Sequence, residues 1–596
     1  MSLKRKKRYN LLVRFLRWRI RNISNRNFFL AVSLIVGLLS GLSAVLMKNA
    51  VYLIRTFLTH GFSSEMHNYW FFVYPAVGIA LVVFLVHNVL KVRVGLGIPV
   101  ILHAISGTKG AIKPHHIFSS ALTSTLTVGF GGSVGLEGPA VLTGGAIGSN
   151  LGQLLHLNYR QIILLIGCAV TGALAALFKA PIAAIIFTIE VLMLDLTLSS
   201  LMPLLLASIT GTLTSYLFLK QDVLIAMKIT EIFQLKHVPL FILLGVFTGL
   251  VSLYFTKVIV GVDDLFKNIR SNWTRWFVAA GLLGVVIFLF PSLYGEGYDS
   301  INRALHGDLG FIFDKSGYYT FSGEPGATIL ILALLILMQV VATALTLGAG
   351  GIGGIIAPSL FTGMAAGLLF GSVYNYFFES DISLVLFALV GMSGMIAGVL
   401  HAPLTGIFLM AEITLAYNLI LPLMITAGVS FLTIRYFQPL SFYHIQLARR
   451  KQLFTQDKDK IVLSLMKVDK LIETNFTPVK LDATLGDLVK VIAISRRNLY
   501  PVVDDENNYY GVLNMDHVRD IMFKPEFYDK VFIRNLMAKS PVTIAPGESM
   551  EDVAHKFHQS SDFNIPVLSK NQYVGFISRA RLFTSYRQLL KKWSED

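Results

Sequence analysis

One cysteine, Cys168, is all that 596 residues contain, so intrachain disulfides and cysteine-cluster metal sites are excluded. Charge is also scarce: 14% of residues are Asp, Glu, Lys or Arg, against 54% hydrophobic, which is far more apolar than a soluble protein. No cleavable signal peptide is evident, because the basic N-terminal run is long and the apolar segment after it exceeds an h-region. No nucleophile–base pair or metal cluster accompanies the broken apolar segments described below, which argues against an intramembrane enzyme.

What is present is apolar sequence in pieces long enough to span a bilayer, which needs roughly 20 residues each. The chain reads as a polytopic membrane protein. Its net charge of +16 would suit nucleic acid, but cytoplasmic loops and helix ends are a simpler home for the bias. Residues 1–27 carry Lys4 to Arg8, Arg14, Arg17, Arg19 and Arg21 with Leu12, Phe15, Leu16, Trp18 and Ile20 interleaved. That pattern predicts a cytoplasmic amphipathic helix against anionic headgroups.

Spans are expected at Phe28–Lys48, Tyr69–Leu90, Phe241–Val262, Phe277–Phe290, Thr328–Leu347, Leu384–Leu400 and Leu419–Ile434. Between them lie short apolar pieces broken by glycine and proline. Such backbone survives at membrane depth only where protein or a polar cavity covers it, and it points to a transport site. The stretch GGSVGLEGPAVLTGG, Gly131 to Gly145, places a lone carboxylate, Glu137, between glycines and ahead of Pro139. Proline suits a first helical turn, so Glu137 would sit among free backbone N–H groups at the positive end of a helix. Two readings stand from this stretch alone: the side chain competes with a dissolved anion for that spot, or it simply stabilises its own helix.

The apolar region repeats. Thr171–Val191 realigns with Ser393–Thr414, superposing Gly172 on Gly394, Pro181 on Pro403 and Glu190 on Glu412. GPAVLTGG from Gly138 realigns with APSLFTGM from Ala357, and GLGIP, Gly95 to Pro99, has a looser counterpart in GEGYD, Gly295 to Asp299. The halves cover about 28–220 and 235–440. Glu190 and Glu412 read as structural interior carboxylates. His103, His115 and His116 read as interface or loop histidines, and Asp195 as a membrane-edge residue.

Beyond a charged linker, 441–465, the chain becomes soluble in character and repeats again. Asp487, Pro501 and Gly511 answer to Asp552, Pro566 and Gly575, in a helix–strand–turn–strand–helix order.

GLGIP, GLEGP, GGIIAP (Gly353 to Pro358) and SFYHIQLAR (Ser441 to Arg449), in that order, make roughly residues 28–455 resemble the chloride channel and transporter (CLC) family, with 28–440 as the transmembrane anion-pathway domain. The soluble repeats resemble a tandem cystathionine-β-synthase-type (CBS) pair at 466–525 and 530–592. The fold class implied is an all-α polytopic membrane protein of two inverted repeats with a soluble α/β pair. The resemblance further implies about eighteen helices and a homodimer in which each subunit has its own anion pathway. Carried over position by position, the anion would meet backbone at Gly95, Leu96 and Gly97, at Gly135 and Gly138, and at Ile355 and Ile356, together with the Tyr443 hydroxyl. Glu137 would be the gate. Helix N-termini hold an anion without a mobile cation and let it leave, whereas magnesium or calcium would require oxygen ligands, so a CBS-bearing divalent-cation channel fits poorly.

Four departures qualify the resemblance. Leu96 stands where most relatives have serine, which removes a hydroxyl donor. Leu136 replaces a basic residue, which should weaken the local field. Tyr443 lies further from Pro439 than in some relatives. Val191 stands where proton-coupled members carry a second glutamate. In the CBS pair, Asn514 and His517, and Ser578 and Arg581, occupy the Ser/Thr and Asp positions that hold adenine nucleotides in relatives. Both aspartates are missing, so a regulatory or dimer-stabilising module is favoured over a nucleotide cofactor.

The expectation is a multi-pass cell-membrane anion channel with cytoplasmic termini, passing chloride passively under the control of Glu137. Chloride/proton antiport is the alternative. Neither a metal, a further cofactor nor nucleic acid is expected.

Overall fold

The computed structural model describes residues 14, 16–61, 72–92, 94–95, 97–194, 197–219, 233–269, 271–312, 325–449, 463, 466–560 and 562–595. Leu96, Asp195 and most of the linker lie outside the described residues. Two compact units divide the chain, residues 1–453 and 454–596. Residues 16–22 of the basic segment are helical, with the Arg19 guanidinium 4.0 Å over the Phe28 ring.

The first unit is helical. Its first half comprises α1 (Asn25–Gly61), α2 (Tyr74–Phe84), α3 (Ile98–Gly107), α4 (His116–Gly129), α5 (Glu137–Leu154), α6 (Tyr159–Phe178), α7 (Pro181–Val191) and α8 (Leu198–Phe218). The second half repeats the series: α9 (Val238–Lys267), α10 (Asn272–Leu289), α11 (Tyr298–Leu305), α12 (Pro325–Gly348), α13 (Ile356–Phe378), α14 (Leu384–Leu400), α15 (Pro403–Ile413) and α16 (Ile420–Phe437). A last helix, α17 (Phe442–Arg449), closes the unit. Eight helices among the described residues are long and apolar enough to cross a membrane, and several shorter apolar helices lie between them. The span expected at Tyr69–Leu90 enters its α-helix only at Tyr74 and leaves through a π-helical turn, Leu85–Leu90.

Packing follows the repeat. In the first half α1, α6 and α8 pack against one another, and in the second half α9, α14 and α16 do the same. Close approach is possible because small residues meet: a Cβ on Gly211 would fall 2.2 Å from the carbonyl oxygen of Gly172. With lipid as apolar as the helices, such backbone proximity supplies the dispersion contact that holds the trio. The breaks are repeated too. Lys179 ends α6 and His401 ends α14, both left-handed at φ 54° and φ 56°. Each is followed by alanine and then by a proline that starts the next helix, α7 or α15.

The second unit contains both soluble repeats. The first has β1 (Val479–Lys480), α18 (Leu485–Ile494), β2 (Leu499–Val503), β3 (Tyr509–Asn514) and α19 (Met515–Val518). The second has α20 (Met550–Gln559), β4 (Asn564–Ser569), β5 (Gln572–Ser578) and α21 (Arg579–Glu595). β1 runs parallel to β2, and the pairs β2–β3 and β4–β5 are antiparallel. Val502 faces Gly511 and Val567 faces Gly575, so the aligned prolines and glycines occupy equivalent ladder positions. Thr484 and Ser549 cap α18 and α20 by accepting from the N–H of Asp487 and Asp552, the aligned aspartates.

Candidate anion-transport site

Four helices begin at breaks where no side chain caps the N-terminus: α3 after Gly97, α5 after Leu136, α11 after Gly297 and α13 after Ile355. An uncapped N-terminus leaves amide donors for another partner. Gly97 and Gly297 each precede a helix at positive φ, 81° and 82°, which favours glycine, but their ψ values of −116° and 1° differ, so the pairing of GLGIP with GEGYD stays loose in the structure.

Three of these breaks converge. Gly135 donates to the carbonyl of Gly354 at 2.9 Å, and Gly354 donates back to that of Gly135 at 2.6 Å. This two-bond bridge joins the loop before α5 to the loop before α13. Gly97 presses on the same place, since a Cβ there would stand 2.6 Å from the Gly138 carbonyl oxygen. Leu136, Ile355 and Ile356 are 1%, 2% and 2% exposed, so the junction is dry apart from its amides.

Glu137, the first residue of α5, is 2% exposed at this junction. The Tyr298 hydroxyl, from the start of α11, donates to Glu137 Oε1. Oε2 lies against Gly135 and has no hydrogen-bond partner among the described residues, although the Ala357 amide acts on the carboxylate. A partnered and an unpartnered oxygen describe a side chain held but not locked. Tyr443, on α17, is buried, its hydroxyl has no hydrogen-bond partner among the described residues, and it lies within electrostatic range of Glu137. α17 packs against α3, which brings Tyr443 to the side of the junction where Gly95 and Gly97 lead in. An orphan hydroxyl beside uncapped amides suits a ligand that accepts hydrogen bonds, and an anion is one.

Val191, the last residue of α7, is 5% exposed and apolar. Its neighbour Glu190 accepts from the amides of Leu404 and Thr405 at 3.1 and 2.7 Å and from the Thr405 hydroxyl at 2.7 Å. Glu412 accepts from the amides of Ile182 and Ala183 at 3.1 and 2.8 Å. The C-terminal end of each short helix thus caps the N-terminus of the other, and α7 and α15 lie antiparallel. Thr405 and Ile356 line one small apolar cavity with Leu174, Phe187 and Leu400. His116 is buried at the start of α4 with its ring 4.1 Å from that of His115, and its Cε1 stands 3.9 Å from where a Cβ on Gly95 would lie, so it borders the loop that leads into α3.

Sequence reasoning did not assign Lys48, Glu296 or Tyr298 to this place. Glu296 accepts from the Leu136 amide at 3.1 Å, and the Lys48 ammonium stands 5.7 Å from the Tyr298 ring centroid. The available signal was a glutamate between two glycines in GEGYD, similar to the glycine-flanked stretch GLEGP that holds Glu137.

Antiparallel half-repeats whose uncapped helix N-termini meet around a carboxylate define a broken-helix membrane transport protein. The description "Voltage gated chloride channel" belongs to the family model that matches residues 78–435, and CBS domain models match 468–524 and 533–587. The chain belongs to the voltage-gated chloride channel (CLC) family, with a CBS pair after the membrane unit. The H(+)/Cl(-) exchange transporter ClcA of Vibrio cholerae serotype O1 is 31% identical over 418 residues, covering 67% of this chain and 84% of that one. In fold, a slow cyanobacterial Cl-/H+ antiporter superposes with TM-score 0.61 at 24% identity, over 72% of this chain and 99% of that one. A eukaryotic CLC transporter superposes with TM-score 0.60 at 16% identity, over 94% of this chain and 99% of that one.

Proposed function

We propose that the chain exchanges chloride for protons across the cell membrane, with Glu137 as the group both ions contest. The observation that carries this reading is the Glu137 side chain buried at the Gly135–Gly354 bridge, one oxygen on Tyr298 and the other without a hydrogen bond. A carboxylate there repels the anion; a carboxylic acid does not. Proton uptake and chloride entry are then linked through one side chain. The exchange transporter named ClcA, similar over most of the membrane unit, supports coupling over passive conduction.

Passive conduction is the second reading, and Val191 favours it. A buried valine cannot relay a proton from the far side, and Glu190 beside it is engaged by three donors. Exchange therefore requires a proton route that does not pass through position 191. Proton movement driven by a chloride gradient in proteoliposomes distinguishes the two. Exchange predicts uphill proton movement that Glu137→Gln abolishes; passive conduction predicts none in either protein.

The chain acts as a homodimer in this reading, with both termini cytoplasmic. Exposed apolar residues Ile182 and Leu404 on the mutually capped helices, and Leu421 and Met424 on α16, support a partner or lipid face there. The CBS pair regulates or stabilises the dimer without a nucleotide, because the Ser578 hydroxyl is already donated to Glu473 at 2.5 Å.

A further inference from the structure

The gate has a second carboxylate beside it. Glu296 sits between Gly295 and Gly297, both at positive φ, in the loop that leads into α11. One of its oxygens accepts from the amide of Leu136, the residue immediately before Glu137. The charge of Glu137 acts on Glu296, as do the charges of Lys48 and Arg55, both from α1. Tyr298, two residues on, hydrogen-bonds Glu137 and feels both carboxylates.

Exposure is graded along this cluster. Glu137 is 2% exposed, Glu296, Tyr298 and Lys48 are half-buried, and Asp299, paired with Arg55, is exposed. The groups therefore step from water to the gate over one loop and one face of α1. Among the described residues two further titratable side chains act around the pair, Tyr294 under the influence of Arg55 and Tyr443 under that of Glu137. Two carboxylates at one loop junction, one of them buried, are costly unless a cation offsets them or a proton is shared. Lys48 is the cation that acts on both. It restores from α1 the positive charge that Leu136 leaves out of the loop.

We propose that Glu296 is a second proton-binding group of the gate, titrating as a pair with Glu137 and balanced by Lys48. This rests on the reading of Glu137 as the gate. A hydronium ion on the Asp299 side gives its proton to a Glu296 carboxylate oxygen and leaves as water. A second proton neutralises Glu137, which then no longer competes with chloride. Glu296 acts through Glu137 and is a positioning residue for the proton, not an anion ligand.

Chloride flux against pH in proteoliposomes of the full chain tests this, comparing wild type with Glu296→Gln, Lys48→Met and Glu137→Gln. Removing a neighbouring negative charge weakens proton binding at the gate, so Glu296→Gln moves the midpoint to lower pH by on the order of one unit. Removing the cation does the reverse, so Lys48→Met moves it to higher pH. A structural defect would lower flux at every pH without shifts of opposite sign. Should Glu296→Gln fail to fold, Glu296→Ala decides in the same way, a midpoint moved to lower pH supporting the inference and an unmoved one overturning it. Profiles that superpose on wild type, or that move the same way, overturn the inference while a flat profile in Glu137→Gln leaves the gate intact. A wild-type profile in Glu137→Gln overturns the gate reading itself.

Discussion

Glu190 and Glu412 cap each other's helices: Glu190, at the end of α7, holds the first amides of α15, and Glu412, at the end of α15, holds those of α7. The arrangement satisfies orphan donors at two helix starts and places each acid at the positive end of a dipole. It also fixes α7 and α15 against one another, beside the cavity that reaches Ile356.

Replacing either glutamate by alanine strands at least two amides and lowers stability by roughly 1–3 kcal/mol. Unfolding in detergent should show similar losses for Glu190→Ala and Glu412→Ala, because their surroundings are near-equivalent. A loss confined to one of them would break the equivalence of the halves.

Tyr443→Phe should leave the fold intact, since the hydroxyl makes no hydrogen bond within the described residues. If the hydroxyl serves the anion, its removal costs about 1 kcal/mol of binding, a several-fold weaker chloride affinity. Isothermal titration with chloride measures it. Unaltered affinity would take Tyr443 out of the site.

Gly97→Ala meets two obstacles at once, a left-handed backbone at φ 81° and the Gly138 carbonyl oxygen 2.6 Å from the new carbon. Strain and overpacking together cost roughly 2–4 kcal/mol. Chloride flux should fall at least tenfold per folded molecule, since α3 can no longer lie on the bridge loops. Wild-type flux would place Gly97 outside the pathway.

The Val191→Glu variant addresses coupling. A carboxylate at the end of α7 gives protons an additional stop next to the cavity, so the ratio of protons to chloride transported should rise. A constant ratio shows that protons do not pass position 191.

In the soluble unit, Glu473 is 8% exposed and joins Arg497 at 2.6 Å while accepting from Ser578. Its side chain ties the segment before β1 to the end of β5. Glu473→Ala removes one partner of Arg497, which keeps Asn475 and the Phe476 ring, and frees the Ser578 hydroxyl, and it costs roughly 1–2 kcal/mol. Hydrogen exchange in the full chain should accelerate in β5 and leave α5 unchanged.

Much of the membrane unit was legible because its breakers are local. Lys179-Ala-Pro and His401-Ala-Pro announce where helices stop and restart, and Leu384–Leu400 is the observed α14. Glu137 stood out as a lone acid among glycines, and the sequence placed it at the helix start it occupies. The interpretation of Glu190 and Glu412 as satisfied interior acids agrees with their bonds, but their mutual exchange is a long-range fact that spacing does not reveal. Passive chloride conduction was inferred from Val191 alone, one position set against a whole membrane unit, and the exchange transporter among the relatives favours the alternative.

What the sequence concealed lies across the chain. Leu136 suggested a weakened field, yet Lys48 comes in from α1 and supplies charge near the same carboxylate. Tyr298 reaches Glu137 from 161 residues away, and nothing local to GEGYD marks its tyrosine as the partner of GLEGP. Tertiary packing alone brings these side chains together. Leu96, expected to cost the site a hydroxyl, lies outside the described residues.

The central claim is that helix N-termini from both halves share an anion that Glu137 displaces. Anomalous diffraction from Glu137→Gln crystals grown in bromide tests it most directly. The account predicts a bromide peak at the Gly135–Gly354 bridge, within hydrogen-bond reach of the amides at Ile356 and Ala357 or of the Tyr443 hydroxyl. A well-ordered junction with no peak there, at bromide concentrations that saturate transport, would contradict it.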